Sequence, residues 1–191
     1  MNEISLMPEE QYQRLQQRNA DDVKELWDLL DAVKDPEVPV LSIWDLGILR
    51  NIERTSERIG ERIGEREDEK IIITITPTYS GCPAMDNIST DVKKALNDAG
   101  YADVTVKMSL SPAWSSEWMS PEGRKNLREY GIAPPEDADL DEDGLTPDAH
   151  AQCPHCSSRN TRRISEFGST ACKALFQCND CNEPFDYFKK I

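Results

Sequence analysis

Nowhere in the 191-residue chain does an apolar run approach the ~20 residues that a membrane-spanning helix needs, so no membrane partner is expected. Its first residues, Met1-Asn2-Glu3-Ile4-Ser5, lack the basic start and apolar stretch of a secretory signal, and a cytoplasmic location is the expectation. Basic residues are also short, with 22 Lys and Arg against 36 Asp and Glu and a net charge of −14. Phosphate backbones are bound by clustered cations that displace counterions, so no nucleic-acid partner is expected. A protein partner with a basic patch suits this charge better. Histidine is scarcest, with only His150 and His155, neither in the part that reads as the main domain. That argues against a Cys–His hydrolase, which needs a base beside its nucleophile.

What is present is a modest core, with 38% hydrophobic and 30% charged residues. Val23, Leu26, Trp27, Leu30 and Val33 recur at helical spacing and predict a helix over 22–34. The prolines of "DPEVP" (Asp35 to Pro39) end it. Gly47 to Arg54 and Lys70 to Thr76 read as strands. Between them "ERIG" occurs twice in tandem, a polar, glycine-punctuated hairpin tip. A helix is predicted over Ala84–Ala99, with Ile88, Val92, Ala95, Leu96 and Ala99 on one face, and a third strand over Ala102–Leu110. A strand, a helix and a strand imply a parallel pair, so the expected class is a small α+β domain. Ser120 and Pro121 are placed to cap and start a further short helix. Residues 133–150 hold seven acids, three prolines and no Lys or Arg, and read as an extended, self-repelling linker. The expected organisation is an extension (1–21), the main domain (22–132), the acidic linker (133–150) and a C-terminal module (151–191).

That module carries "CPHC" (Cys153, Cys156) and "CNDC" (Cys178, Cys181), with 21 residues between the pairs. Each pair can turn two sulfurs to one point, and four thiolates form a closed tetrahedral zinc site. About forty residues is near the size at which a core alone fails, so a structural zinc in a ribbon is expected. An iron site of rubredoxin type is the alternative. Arg159, Arg162, Arg163 and Lys173 could offset the negative charge of the metal–thiolate group. His155 reads as a spectator, and Cys172 as a small buried residue or, less favoured, a reactive thiol.

Cys82 stands apart, where "ITITPTYSGCPAM" leaves a strand and enters a helix. With Pro83 at the first helical position, Cys82 would be the N-cap and would face the positive end of the helix dipole. Such a setting lowers a thiol pKa and suits a nucleophile or a metal ligand. A buried small residue is the competing reading. One cysteine cannot hold an iron–sulfur cluster alone, so other ligands would be needed. Asp35, Glu37 and Asp45 are the available carboxylates, with turn formation and capping as their plainer roles.

"DPEVPVLSIWDLGILRNI" followed by "ITPTYSGCPAM" resembles the MIP-eighteen family of iron–sulfur cluster assembly domains. "PAWSSEWMSPEGRKNLREYGIAPP" and "FGSTACKALFQC" resemble its subgroup that forms the D subunit of phenylacetyl-CoA epoxidase. The tandem ERIG departs from the pattern and lengthens one loop. The resemblance implies a small α/β domain with a three- or four-stranded mixed sheet. It implies an accessory component in phenylacetate catabolism that assists iron–sulfur cluster or metal-site assembly and is not itself catalytic. A structural or electron-transfer component of the oxygenase is the alternative. The implied partners are the reductase and oxygenase components or general iron–sulfur assembly proteins, and a homodimer is left open. The family's reactive cysteine maps to Cys82 and its acidic position to Asp45, with Thr78 and Ser80 lining the same pocket. The implied cofactors are a structural zinc in the ribbon and a transient iron or iron–sulfur cluster at Cys82. Trp114 and Trp118 are expected to anchor a partner, as interface aromatics do.

Overall fold

A computed structural model describes residues 9–57, 68–135 and 151–190. The chain divides into two compact units, Met1–Trp118 and Met119–Ile191. The body of the ERIG repeat (58–67) and linker residues 136–150 lie outside the described residues.

In the first unit the chain runs α1 (Glu9–Arg18), α2 (Lys24–Leu30), β1 (Leu49–Glu57), β2 (Asp68–Ile75), α3 (Ala84–Asp98) and β3 (Asp103–Met108). A 3₁₀ turn at Ser116–Trp118 closes it. The sheet is mixed and three-stranded, in the order β1-β2-β3. β1 pairs antiparallel to β2, and β2 pairs parallel to β3 across α3, as the strand–helix–strand pattern predicts. Ile71, Ile73 and Ile75 are buried on the central strand, and Ile88, Val92 and Leu96 are the buried positions of α3 among those expected. Ala95 is half-buried and Ala99 is exposed, because the helix ends at Asp98 and the chain turns away through Gly100. All five apolar positions predicted for the first helix are buried. The regular helix is nevertheless shorter than expected. Ala32 and Val33 continue it with tighter bonds to Leu29 and Leu30, before Lys34 bridges to Ser42.

Periodicity gives no signal for α1, which earns its place through one polar residue. It carries Arg14, which is 3% exposed. Its guanidinium donates to the carbonyls of Leu49 (3.0 Å), Trp118 (2.8 Å) and Trp44 (2.9 Å), each at least 30 residues from Arg14 in sequence. It also lies 4.4 Å from the centre of the Trp44 ring, with Arg18 at 4.6 Å.

In the second unit α4 (Pro121–Glu129) is capped as predicted, the Ser120 hydroxyl accepting from the Gly123 amide at 2.8 Å. β4 (Ile132–Ala133), β5 (Thr161–Ser165), β6 (Lys173–Cys178) and β7 (Pro184–Phe188) form a sheet in the order β4-β7-β6-β5. Sequence patterning assigns 119–132 to the front domain. Here the pairing of Ile132 and Ala133 with β7 draws them into the second unit. Phe176 packs on Phe185 and Tyr187, at 5.9 and 5.4 Å between ring centres, in a core that includes Cys153 and Cys178.

All four tryptophans lie in the first unit, so tryptophan emission reports that unit alone. Replacing Arg14 by Met leaves three buried carbonyls short of a charged donor and is expected to lower its stability by about 3 kcal/mol. Urea titration followed by tryptophan emission measures this, and Arg14→Lys should recover only part, because one ammonium cannot span three divergent carbonyls.

Candidate metal centre and the Cys82 loop

The two C-x-x-C segments build one site. Among the described residues Cys153, Cys156, Cys178 and Cys181 are the only group of three or more potential ligands that converge, their sulfurs lying within 4.8 Å of one another. The Cys153–Cys181 and Cys156–Cys178 sulfurs are 3.8 and 3.5 Å apart, and none of the four is in a disulfide. A tetrahedron with metal–sulfur bonds of ~2.3 Å has edges of about 3.8 Å, so the four thiols fit a single metal ion. His155 is exposed and not part of the group.

Both pairs form the same turn. Ser157 and Asn182 each follow the second cysteine of a pair, and each adopts a positive φ, 62° and 61°. Cys153 N–H donates to Ser158 and Cys178 N–H to Glu183, closing the two loops. The reversal aims main-chain amides at sulfur, with Cys181 N–H 3.5 Å from the Cys178 Sγ. The amides of Cys181 and Asp180 help hold the Cys178 thiol down to about 7. At Cys156 the Ser158 amide pulls down, but the neighbouring Cys178 sulfur and desolvation push the thiol up to about 12. A metal must therefore displace protons as it binds.

Three of the four basic side chains expected to balance these sulfurs have other partners. Lys173 is buried against Asp186 at 3.5 Å, Arg163 pairs with Glu166 at 2.8 Å, and Arg162 bonds Gln177 at 2.6 Å. Main-chain amides supply the compensation at the sulfurs. Cys172 is 5% exposed with its sulfur 3.0 Å from the Thr170 hydroxyl, in keeping with a small buried residue.

Cys82 lies at the end of the loop that follows β2. α3 begins at Ala84, with Pro83 rather than Cys82 in the capping position. Cys82 N–H donates to Tyr79 O at 3.3 Å, and its carbonyl accepts from Met85 N at 3.4 Å. The thiol is half-buried. The expected lowering of its pKa is not found. Burial pushes the thiol up, the Ala84 amide opposes this, and the carboxylates of Glu37 and Asp35 push it further up. The "DPEVP" loop is thus brought to Cys82 by the fold. Asp35 also has the turn-forming role, its Oδ1 accepting from the amides of Glu37 (2.8 Å) and Val38 (2.9 Å).

Asp45 is not among the groups that shift the Cys82 thiol. Its Oδ2 accepts from the Ser42 hydroxyl at 2.9 Å, and that hydroxyl also bonds Asp31 at 2.6 Å. Thr78 is buried and Ser80 is exposed. Thr76, at the start of the loop, has a buried hydroxyl with no hydrogen-bond partner. Trp114 and Trp118 are 3% and 5% exposed, which does not suit surface anchors. The Trp114 Nε1 donates to Leu46 O at 2.9 Å, and Trp118 sits so close to Gly47 that a Cβ there would be 2.8 Å from its own Cβ. They pack inside the first unit, where large aromatics bury most apolar area.

A family model described as "Iron-sulfur cluster assembly protein" matches residues 24–108, and one described as "PaaD zinc beta ribbon domain" matches residues 137–189. The chain is 45% identical over 173 residues to the putative D subunit of 1,2-phenylacetyl-CoA epoxidase from Escherichia coli (strain K12), covering 88% of this chain and 93% of that protein. The chain belongs to the PaaD family. This PaaD-family chain is also 31% identical over 100 residues to an "Fe-S protein maturation auxiliary factor" of Porphyromonas gingivalis, covering 52% of this chain and 84% of that one. Among solved structures, a domain of unknown function, DUF59, from Bacillus anthracis is 31% identical, with a TM-score of 0.44 over 55% of this chain and 89% of that one. As a PaaD-family protein the chain has an accessory role, and its four-cysteine group is a metal-binding site.

Stripping the metal with a chelator is expected to unfold the second unit while tryptophan emission from the first stays native. Metal affinity should fall as pH is lowered, by about tenfold per pH unit for each proton displaced, read by chelator competition. Asn182→Gly is expected to keep or raise the stability of the metal-bound ribbon, whereas Asn182→Val should cost about 1–2 kcal/mol through left-handed backbone strain. Thermal unfolding of the two variants compares them.

Proposed function

We propose that the chain is a maturation component of a phenylacetyl-CoA epoxidase, taking up iron or an iron–sulfur cluster at Cys82 and passing it to the reductase or oxygenase. The observation that carries this reading is the pair of carboxylates, Glu37 and Asp35, acting on the half-buried Cys82 thiol. In the absence of a cation this arrangement is unfavourable to the thiolate and keeps the proton on sulfur. A cation reverses the sign of both effects, since it attracts the carboxylates and expels the thiol proton. Cargo loading and deprotonation are then one event. The set is also incomplete, because Cys82, Asp35 and Glu37 do not converge into a ligand group among the described residues. An open set suits a hand-over in which the client supplies the remaining ligands.

The ribbon metal is proposed to be zinc with a structural role, since four sulfurs leave no open position for exchange. Asp45, tied to Ser42, would act by holding the turn between the "DPEVP" loop and β1. Thr78 and Ser80 would flank the cargo, and soluble partners in the cytoplasm would receive it.

Metal and acid-labile sulfide analysis of anaerobically purified protein tests the assignment. About one zinc per chain and no iron is the result expected of a closed four-thiolate ribbon. Stoichiometric iron that persists in Cys82→Ser would instead place iron in the ribbon and favour an electron-transfer role. Cys82→Ser should leave the tryptophan emission and zinc content unchanged and abolish complementation of growth on phenylacetate. Normal growth of that variant would remove Cys82 from the mechanism. In the metal-free protein, alkylation of Cys82 should be slow at neutral pH and rise only above the usual cysteine range, because burial and two carboxylates raise its pKa.

A further inference from the structure

The sheet of the first unit has two unlike edges. β1 forms one, and a β-bulge at Arg50 interrupts its register with β2. β3 forms the other, and its register with β2 runs without a shift from Lys70–Asp103 to Ile75–Met108. Among the described residues no strand pairs with the outer edge of β3. An open edge is a template for a further strand unless a proline, a bulge or a charge blunts it. β3 has neither proline nor bulge.

Register with β2 fixes the face that each β3 side chain takes. Val104, Val106 and Met108 stand beside Ile71, Ile73 and Ile75, on the buried face. The two valines are nevertheless only half-buried and Met108 is 54% exposed, so this apolar row ends in the open. Asp103, Thr105 and Lys107 lie on the opposite face. Asp103 stands beside Lys70 without forming an ion pair with it. Among the described residues the side chains of Asp103 and Lys107 make no hydrogen bond or ion pair. The Ser109 amide donates to Ile75 O at 2.8 Å, toward β2. Amides alternate along a strand, so those of Val104, Val106 and Met108 point to the open edge.

We propose that β3 is the contact between two copies of this chain, paired antiparallel about a two-fold axis at Thr105. In such a pair one strand meets itself reversed. With the axis at Thr105, Asp103 of each copy faces Lys107 of the other, Val104 faces Val106, and Thr105 faces its own counterpart. An axis at Val104 or Val106 leaves both charges without an opposite. The outward amides agree with the Thr105 register. Val104 and Val106 exchange main-chain bonds across the edge, so Asp103 and Lys107 fall in a non-hydrogen-bonded pair, where side chains approach most closely. Opposite charges and threonines facing each other across strands are both stabilising. Lys107 alone would blunt the edge, but with Asp103 on the same face the edge is complementary to itself. Two three-stranded sheets thereby join into one of six strands.

Sedimentation of the full chain at physiological ionic strength, from micromolar to millimolar concentration, tests this pairing. The expected result is a reversible monomer–dimer equilibrium. Asp103→Lys and Lys107→Asp each set like charges opposite one another at both ends of the contact, and each alone is expected to weaken the dimer about tenfold or more. An equimolar mixture of the two variants recreates both opposite pairs and should associate as the unmodified chain does. Asp103→Lys also makes the chain less acidic than its net −14, so general repulsion between copies predicts a stronger dimer, the reverse of the local pairing. Both side chains are exposed, so neither variant depends on repacking the core, and tryptophan emission checks the fold. A chain that stays monomeric at millimolar concentration leaves the edge to a strand of another protein and overturns the proposal. So does a dimer whose strength neither variant changes, or a mixture that associates no better than its components.

Discussion

The first unit is organised by the way its central strand ends. β2 is hydrogen-bonded on both edges, antiparallel to β1 and parallel to β3. Thr76 still donates its amide to Ile48 O at 2.9 Å, and the next residue is Pro77, which has no amide to give. The ladder has to stop there, and the chain must cross to α3 through the loop that carries Cys82. The same end of the sheet receives the "DPEVP" turn and a β-bulge at Arg50, where the β1–β2 register passes from Leu49–Ile75 to Asn51–Thr74. A strand pair that ran further would bury this end under main-chain bonds and leave no chemistry exposed.

Sulfur is handled by different electrostatics in the two units. In the ribbon, amides from two matching turns point at the thiols, while Lys173 and Arg163 pair with Asp186 and Glu166. Amide dipoles are fixed by the backbone and cost no side-chain entropy, so the site is preorganised for a permanent metal. At Cys82 only the Ala84 amide and Tyr79 favour the thiolate, while burial and two carboxylates oppose it. That balance disfavours a standing charge on the sulfur.

Arg14 links α1 to the rest of its unit, since a single guanidinium serves carbonyls of Trp44, Leu49 and Trp118. Each of those carbonyls sits where regular pairing lapses, in a turn, at a strand start and in a 3₁₀ turn. An exposed end would be solvated by water, whereas here the charge of Arg14 substitutes for it under a tryptophan ring. The burial of Trp114 and Trp118 belongs to the same arrangement, with Gly47 allowing Trp118 its close approach.

The elements of the fold could be read from local pattern: the apolar positions of α2 and α3, the strand–helix–strand order, the Ser120 cap and the four ribbon cysteines all depend on spacing along the chain. Family membership was legible for the same reason, because "DPEVP", "GCPAM" and the paired C-x-x-C segments are contiguous motifs. Tertiary structure alone decided the electrostatics. Whether Cys82 is pulled down by a helix terminus or pushed up by carboxylates depends on where a loop some forty residues earlier comes to rest. Whether Trp114 and Trp118 face a partner or the core depends on Gly47 and Leu46, which no local period relates to them. Arg14 and Arg50 carried no signal in their own neighbourhoods, because one acts through three distant carbonyls and the other through a register shift. Periodicity reports which face of an element is apolar. The energy of a charged or titratable group is set by everything within a few ångströms, and that neighbourhood is assembled from segments far apart in sequence.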